Sequence, residues 1–100
     1  MTQTYHCRIK ADHPSLPGHF PGHPVVPGVV LLTEVEICVR RFLDRSVRIT
    51  GAPNVKFTHP LLPDTQFEVQ LEAGKPGIVK FQCLQADILL ASGSLAYAPN

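Results

Sequence analysis

The sequence predicts an α+β domain: one long helix set centrally against a five-stranded antiparallel sheet. Three observations carry this. The chain has 100 residues, the size of one ordinary domain, so a separate cofactor-binding half is excluded. A single stretch after Pro27 has helical apolar spacing. The remainder resolves into runs of period two joined by turn-forming residues.

The first run places Tyr5, Cys7 and Ile9 on one side and His6, Arg8 and Lys10 on the other, as in a half-buried strand. The next segment, DHPSLPGHFPGHPVVPG, holds Pro14, Pro17, Pro21, Pro24 and Pro27, half of the ten prolines in the chain. Each proline lacks an amide donor and biases the residue before it toward extended conformations, so no helix is possible there. Leu16, Phe20, Val25 and Val26 are interleaved with the prolines, which a solvated linker has little reason to carry. The expectation is a rigid loop packed on the core.

Beyond Pro27-Gly28, Leu31, Leu32, Val35, Cys38, Val39, Phe42 and Leu43 fall within an arc of about 140° on a helical wheel. Thr33, Glu36, Arg40 and Asp44 gather opposite, with Glu36–Arg40 and Arg40–Asp44 spaced to pair along the helix. A third stripe holds Val30, Glu34, Ile37 and Arg41, so the helix is expected to be embedded at the centre of the core. Four further strands follow: Val47 to Phe57, then Phe67, Val69 and Leu71, then Val79, Phe81 and Cys83, then Ile88 to Ala98. Ala73-Gly74-Lys75-Pro76-Gly77 and Ala86-Asp87 supply turns.

Composition narrows the function. Hydrophobic residues make up 44% and charged residues 17%, which argues against disorder and for apolar surface covered by another chain, hence a dimer. A net charge of +1 offers no general attraction to nucleic acid or to an anionic membrane. The most apolar stretch, Val25 to Leu32, is interrupted by Pro27-Gly28 and is too short to span a bilayer. Cys7, Cys38 and Cys83 cannot all pair within one chain, and none has metal-ligand spacing. Met1 to Lys10 carries no apolar secretion signal, so reduced thiols and a cytoplasmic location are expected.

The run GHFPGHPVVPGVVLL, Gly18 to Leu32, resembles the active-site segment of the FabZ/FabA-type 3-hydroxyacyl-[acyl carrier protein] dehydratases, whose pattern is GHFPGxPxxPGV followed by an acidic residue on the helix. NVKFTHPLLPDTQFEVQL, Asn54 to Leu71, resembles more weakly that family's strand, proline turn and next strand. The short length and the HFPGxPxxPGVV form are also similar to the small dehydratases of aryl polyene pathways. The resemblance implies a hotdog fold, dimerisation through sheet edges, and removal of water from a 3-hydroxyacyl thioester on an acyl carrier protein, with no cofactor and no metal.

Such an elimination needs a base for the C2 proton and an acid for the hydroxyl leaving C3. His19 matches the family's catalytic histidine, and an imidazole can take a proton and return it near neutral pH. Gly28 matches the glycine whose amide, at the positive end of the helix, points at the thioester carbonyl. Phe20, Val29 and Thr33 complete the residues expected to border the substrate. Val26, Val29, Val55 and Phe57 are expected around the acyl tunnel.

The acid is where the sequence departs from the pattern. The family's Glu or Asp position is Thr33, with Glu34 one step later and rotated about 100°. The supporting glutamine position is Ile37. Three readings stay open: Glu34 serves as a displaced acid, a second hotdog chain supplies the carboxylate, or the chain is a non-catalytic acyl- or carrier-binding subunit. A hotdog thioesterase is the other enzymatic reading. His6, His13, His23 and His59 are expected to be surface or structural, and Cys38 and Cys83 core filler. Arg40, Arg41, Arg45 and Arg48 either complement the helix dipole or dock an acidic carrier protein.

Overall fold

In a computed structural model, the described residues are 2–9, 26–44 and 46–100. The expected rigid proline loop and Arg45 therefore lie outside the described residues. The elements run β1 (Thr2–Arg8), α1 (Gly28–Leu43), β2 (Val47–Phe57), β3 (Gln66–Ala73), β4 (Ile78–Gln85) and β5 (Ile88–Pro99). The strands form one five-stranded sheet in the order β1-β3-β4-β5-β2, antiparallel throughout.

Alternation decides which face of the sheet is buried. Phe67, Val69 and Leu71 of β3 and Val79, Phe81 and Cys83 of β4 all turn to the core, while Glu68, Gln70, Lys80 and Gln82 turn away. In β5 the alternation breaks: Leu90 and Ala91 are both buried. A register shift after Cys83 explains it, since Cys83 pairs Ala91 while Leu84 pairs Leu89, leaving Leu90 as the extra residue of a bulge. Ala86 adopts a positive φ of 54° in the tight β4–β5 turn, the conformation that turn demands.

Helix α1 packs against β1 and β3 at one end of the strand order and against β2 at the other, so the sheet curls around it. Leu31, Val35, Cys38 and Val39 are buried on that face as the periodicity requires. Asp44 ends the helix in the left-handed conformation, its N–H donating to the Arg40 and Arg41 carbonyls.

The expected full embedding is corrected. Val29 is 70% exposed and Ile37 46%, with Arg41 also exposed, so within the chain the helix buries one face only. A single sheet layer can cover one side of a helix, and the other needs a second body. The expected pairing of Arg40 along the helix also gives way, because its Nε donates to the Val47 carbonyl at 3.4 Å, bridging the helix end to β2. Arg41 lies over the Tyr5 ring, 5.1 Å from its centroid, tying the same turn to β1.

Candidate active site at the helix N-terminus

Helix α1 starts abruptly because of its sequence. Pro27 is the N-cap with φ −60° and ψ 146°, and it offers no side-chain cap. Its carbonyl accepts from Val30 N at 3.0 Å and Leu31 N at 3.2 Å. Gly28 and Val29, ahead of these, have amides with no carbonyl one turn back within the helix. The first turn carries no acidic residue to offset the positive helix end.

Three backbone bonds hold the β2–β3 connection, one to the residue before the helix and two to β5. Val26 N donates to Leu61 O at 2.8 Å, and Thr58 N and His59 N both donate to Leu90 O, at 2.9 and 3.3 Å. The Thr58 hydroxyl adds a 2.6 Å bond to Leu89 O. Between the two segments opens a cavity of about 480 Å³, lined by Val26, Gly28, Leu31, Phe57, Thr58, His59, Pro60 and Leu61. Its size lies within the range of small-molecule sites, about 300–1,000 Å³. Most of the lining residues are apolar, Thr58 and His59 bring the polar side chains, and Gly28 is the first residue of the helix.

Phe57 lines the cavity beside the helix start. A Cβ at Gly28 would stand 2.8 Å from the Phe57 Cζ, so only a glycine lets the ring lie this close to the helix start. His59 is held by its Nδ1, 2.8 Å from the Pro60 carbonyl oxygen. That oxygen can only accept, so Nδ1 carries the proton.

The expected site residues separate into groups. Gly28, Val26 and Phe57 meet in the cavity. Val29 and Thr33 lie instead on the open helix face, where the Thr33 hydroxyl donates to the Val29 carbonyl at 2.9 Å. Glu34 is half-buried, and it is not among the residues that line the cavity. Val55 is partly buried against the core, also outside that lining. His19 and Phe20 lie outside the described residues.

The sequence reasoning missed His59 as a cavity residue. The available signal was its place in FTHP, directly after Phe57, in the segment of weaker family resemblance. It also missed the approach of Cys7 to Cys38, whose sulfurs are 3.7 Å apart, because that contact joins residues 31 positions apart. Among the described residues, no group of three or more His, Cys, Asp or Glu could hold a metal ion. No helix among them is long and apolar enough to cross a membrane.

The profile of the ApeI-like family, described as ApeI dehydratase, matches residues 1–94. The chain belongs to the ApeI-like dehydratase family. This ApeI-like chain is 33% identical over 86 residues to the 3-hydroxyacyl-[acyl-carrier-protein] dehydratase FabZ of Aromatoleum aromaticum, covering 74% of the chain but 59% of the relative. The corresponding FabZ of Chloroflexus aggregans is 32% identical over 101 residues, covering 90% of the chain and 70% of the relative.

Solved structures match over nearly all of the ApeI-like chain. The dehydratase heterocomplex ApeI:P from Xenorhabdus doucetiae matches with TM-score 0.85 at 19% identity, covering 97% of this chain and 87% of that one. The fluoroacetyl-CoA thioesterase FlK matches with TM-score 0.75 at 15% identity, covering 98% and 84%. At these identities the likeness establishes the hotdog fold and leaves the chemistry to the site.

Proposed function

We propose that the ApeI-like chain is a subunit of a hotdog dehydratase that converts a 3-hydroxyacyl thioester, carried on an acyl carrier protein, to the trans-2-enoyl thioester. The observation that carries this reading is the mostly apolar cavity placed at the uncapped N-terminus of α1, with Gly28 on its wall. A thioester carbonyl seated there meets the Gly28 amide and the positive helix end. Both stabilise oxygen as negative charge develops on the enolate. His19 takes the C2 proton. The C3–O bond then breaks, and the departing hydroxyl takes a proton from a carboxylic acid and leaves as water.

The acid comes from a second hotdog chain in this reading. Glu34 is not among the residues that line the cavity, and Thr33 is exposed on the open face of the helix. That open face, with Val29 and Ile37 exposed beside Thr33, favours a dimer, as does the free outer edge of β2. The Xenorhabdus neighbour is itself part of a heterocomplex. A cytoplasmic setting fits the three unpaired cysteines. The acidic carrier would approach the arginines near the helix C-terminus, of which Arg40, Arg41 and Arg48 are exposed.

A second reading, an acyl- or carrier-binding subunit without its own turnover, is favoured by Thr33 at the acid position. Dehydration of a short 3-hydroxyacyl carrier-protein thioester separates them. The test uses the chain alone and with a co-produced hotdog partner, beside His19→Ala and Glu34→Gln. Turnover with the partner that His19→Ala abolishes and Glu34→Gln spares is expected. Turnover unaffected by His19→Ala points to a binding subunit, release of free thiol to a thioesterase, and loss in Glu34→Gln to a displaced acid on this chain.

A further inference from the structure

We propose that Cys7 and Cys38 form a reversible dithiol–disulfide site that, when oxidised, clamps the edge strand β1 onto helix α1. Cys7 stands in β1 opposite Phe67, its side chain turned toward the helix and half-buried. Cys38 lies on the buried face of α1, 2% exposed. Their sulfurs are 3.7 Å apart, and both thiols are free. A disulfide requires about 2 Å between sulfurs. The remaining approach falls on β1, an edge strand that among the described residues pairs with β3 alone and can shift without breaking a second ladder.

The surroundings divide the roles of the two sulfurs. Cys7 is pushed below its ordinary thiol value, first by the hydrogen bond from Cys38, against burial and the nearby Glu34 charge and with help from Arg41. Cys38 is pushed up, by the bond to Cys7 and by burial. Cys7 is thus the more readily deprotonated and the more accessible sulfur, suited to attack, and Cys38 is the resolving thiol. Cys83 is fully buried, and burial raises it to about 12, so it stays out of the exchange.

Oxidised glutathione, a small disulfide, is the co-reactant. The Cys7 thiolate attacks one of its sulfurs, its S–S bond breaks, and glutathione thiolate leaves and takes a proton from solvent. The Cys38 thiol then loses its proton to solvent and attacks Cys7 Sγ, expelling the second glutathione. Two protein thiols become one disulfide, and two electrons pass to oxidised glutathione, giving two reduced molecules. The resulting ring encloses the whole Gly18–Leu32 motif and the cavity residue Gly28.

The full chain is equilibrated in glutathione buffers of increasing oxidation, quenched by alkylation and mapped by mass spectrometry without reduction. A Cys7–Cys38 bridge within one chain is expected, with Cys83 alkylated only after unfolding. Tm is expected to rise on oxidation and return with dithiothreitol. Cys7→Ser, at the more exposed position, should lose both responses while folding normally. A persistent glutathione adduct on Cys7, a bridge between chains, or three alkylated thiols in the most oxidising buffer would each overturn the proposal. The readouts do not involve turnover, so the result stands apart from the dehydratase reading.

Discussion

The Phe57 ring lies over Gly28 so closely that a Cβ at the glycine would meet its Cζ at 2.8 Å and the two neighbouring ring carbons at 3.1 Å. This contact joins the last residue of β2 to the first of α1, and so fixes where the helix amide sits relative to the cavity. Gly28→Ala should leave stability within about 1 kcal/mol, because alanine favours the helix while the half-exposed ring can swing away. Turnover should fall at least about tenfold, since the displaced ring occupies the space facing the amide. Adding Phe57→Leu should recover part of the loss, and kinetics on the two variants check the pair.

Gly93 makes a closer approach on the far side of the sheet. A Cβ there would overlap the Asn54 carbonyl oxygen and stand 2.8 Å from Val55 Cα, both backbone atoms of the paired strand. Gly93→Ala must therefore separate β5 from β2 next to the β2 bulges. A loss of about 2–4 kcal/mol in urea unfolding is expected. A change under about 0.5 kcal/mol would mean that the edge strand yields freely.

The fold was legible because the signals were local. Period two in Phe67–Val69–Leu71 and Val79–Phe81–Cys83, and helical spacing from Leu31 to Leu43, each follow from the residues themselves. The bulge that buries Leu90 beside Ala91 was not legible, since register against Cys83 is set by the partner strand. Of the residues expected around the substrate, Gly28, Val26 and Phe57 line one cavity. His59 and the Cys7–Cys38 contact escaped because they depend on how β1 and the β2–β3 connection close on the helix. The exposed Val29 and Ile37 escaped for another reason: an apolar stripe reads as buried whether the cover is the same chain or another.

Stability should fall on the alkaline side. Burial raises the Cys83 thiol from its ordinary 9.0 to about 12, so the folded chain keeps a proton that the unfolded chain releases. The contribution is complete below pH 9.0 and is lost as pH rises toward about 12. The slope is about 1.4 kcal/mol per pH unit per group in that window, and Cys38 adds in the same direction. Cys83→Ala should flatten the decline of unfolding free energy between pH 9.0 and about 12, and an unchanged slope would place the titration elsewhere.

Ile37, 46% exposed one turn beyond Thr33, belongs to the open face of the helix. Ile37→Lys should change the stability of the isolated chain by no more than about 0.5 kcal/mol, because the side chain leaves little buried area behind. In an assembly that covers this face, the same lysine buries a charge without a partner. Sedimentation should then show a shift toward single chains, and an unchanged assembly would place the interface at another surface.

Thr33 offers the sharpest test of where the acid comes from. It is exposed, and its hydroxyl is satisfied by the Val29 carbonyl one turn back, so no other element depends on it. Thr33→Asp puts a carboxylate on an exposed position of the helix, and stability should change by less than about 1 kcal/mol. If a dimer brings residue 33 of one chain to the His19 segment of the other, the variant supplies to a homodimer the acid that the native chain lacks. Dehydration by the chain alone should then rise at least about tenfold, the contribution of a positioned proton donor being of order 10²–10⁴. The gain should vanish when His19→Ala is added and persist with Glu34→Gln. A variant no faster than the native chain, in a preparation that is demonstrably dimeric, would mean that the open helix face does not meet the substrate, and the acid position would have to be sought near His59.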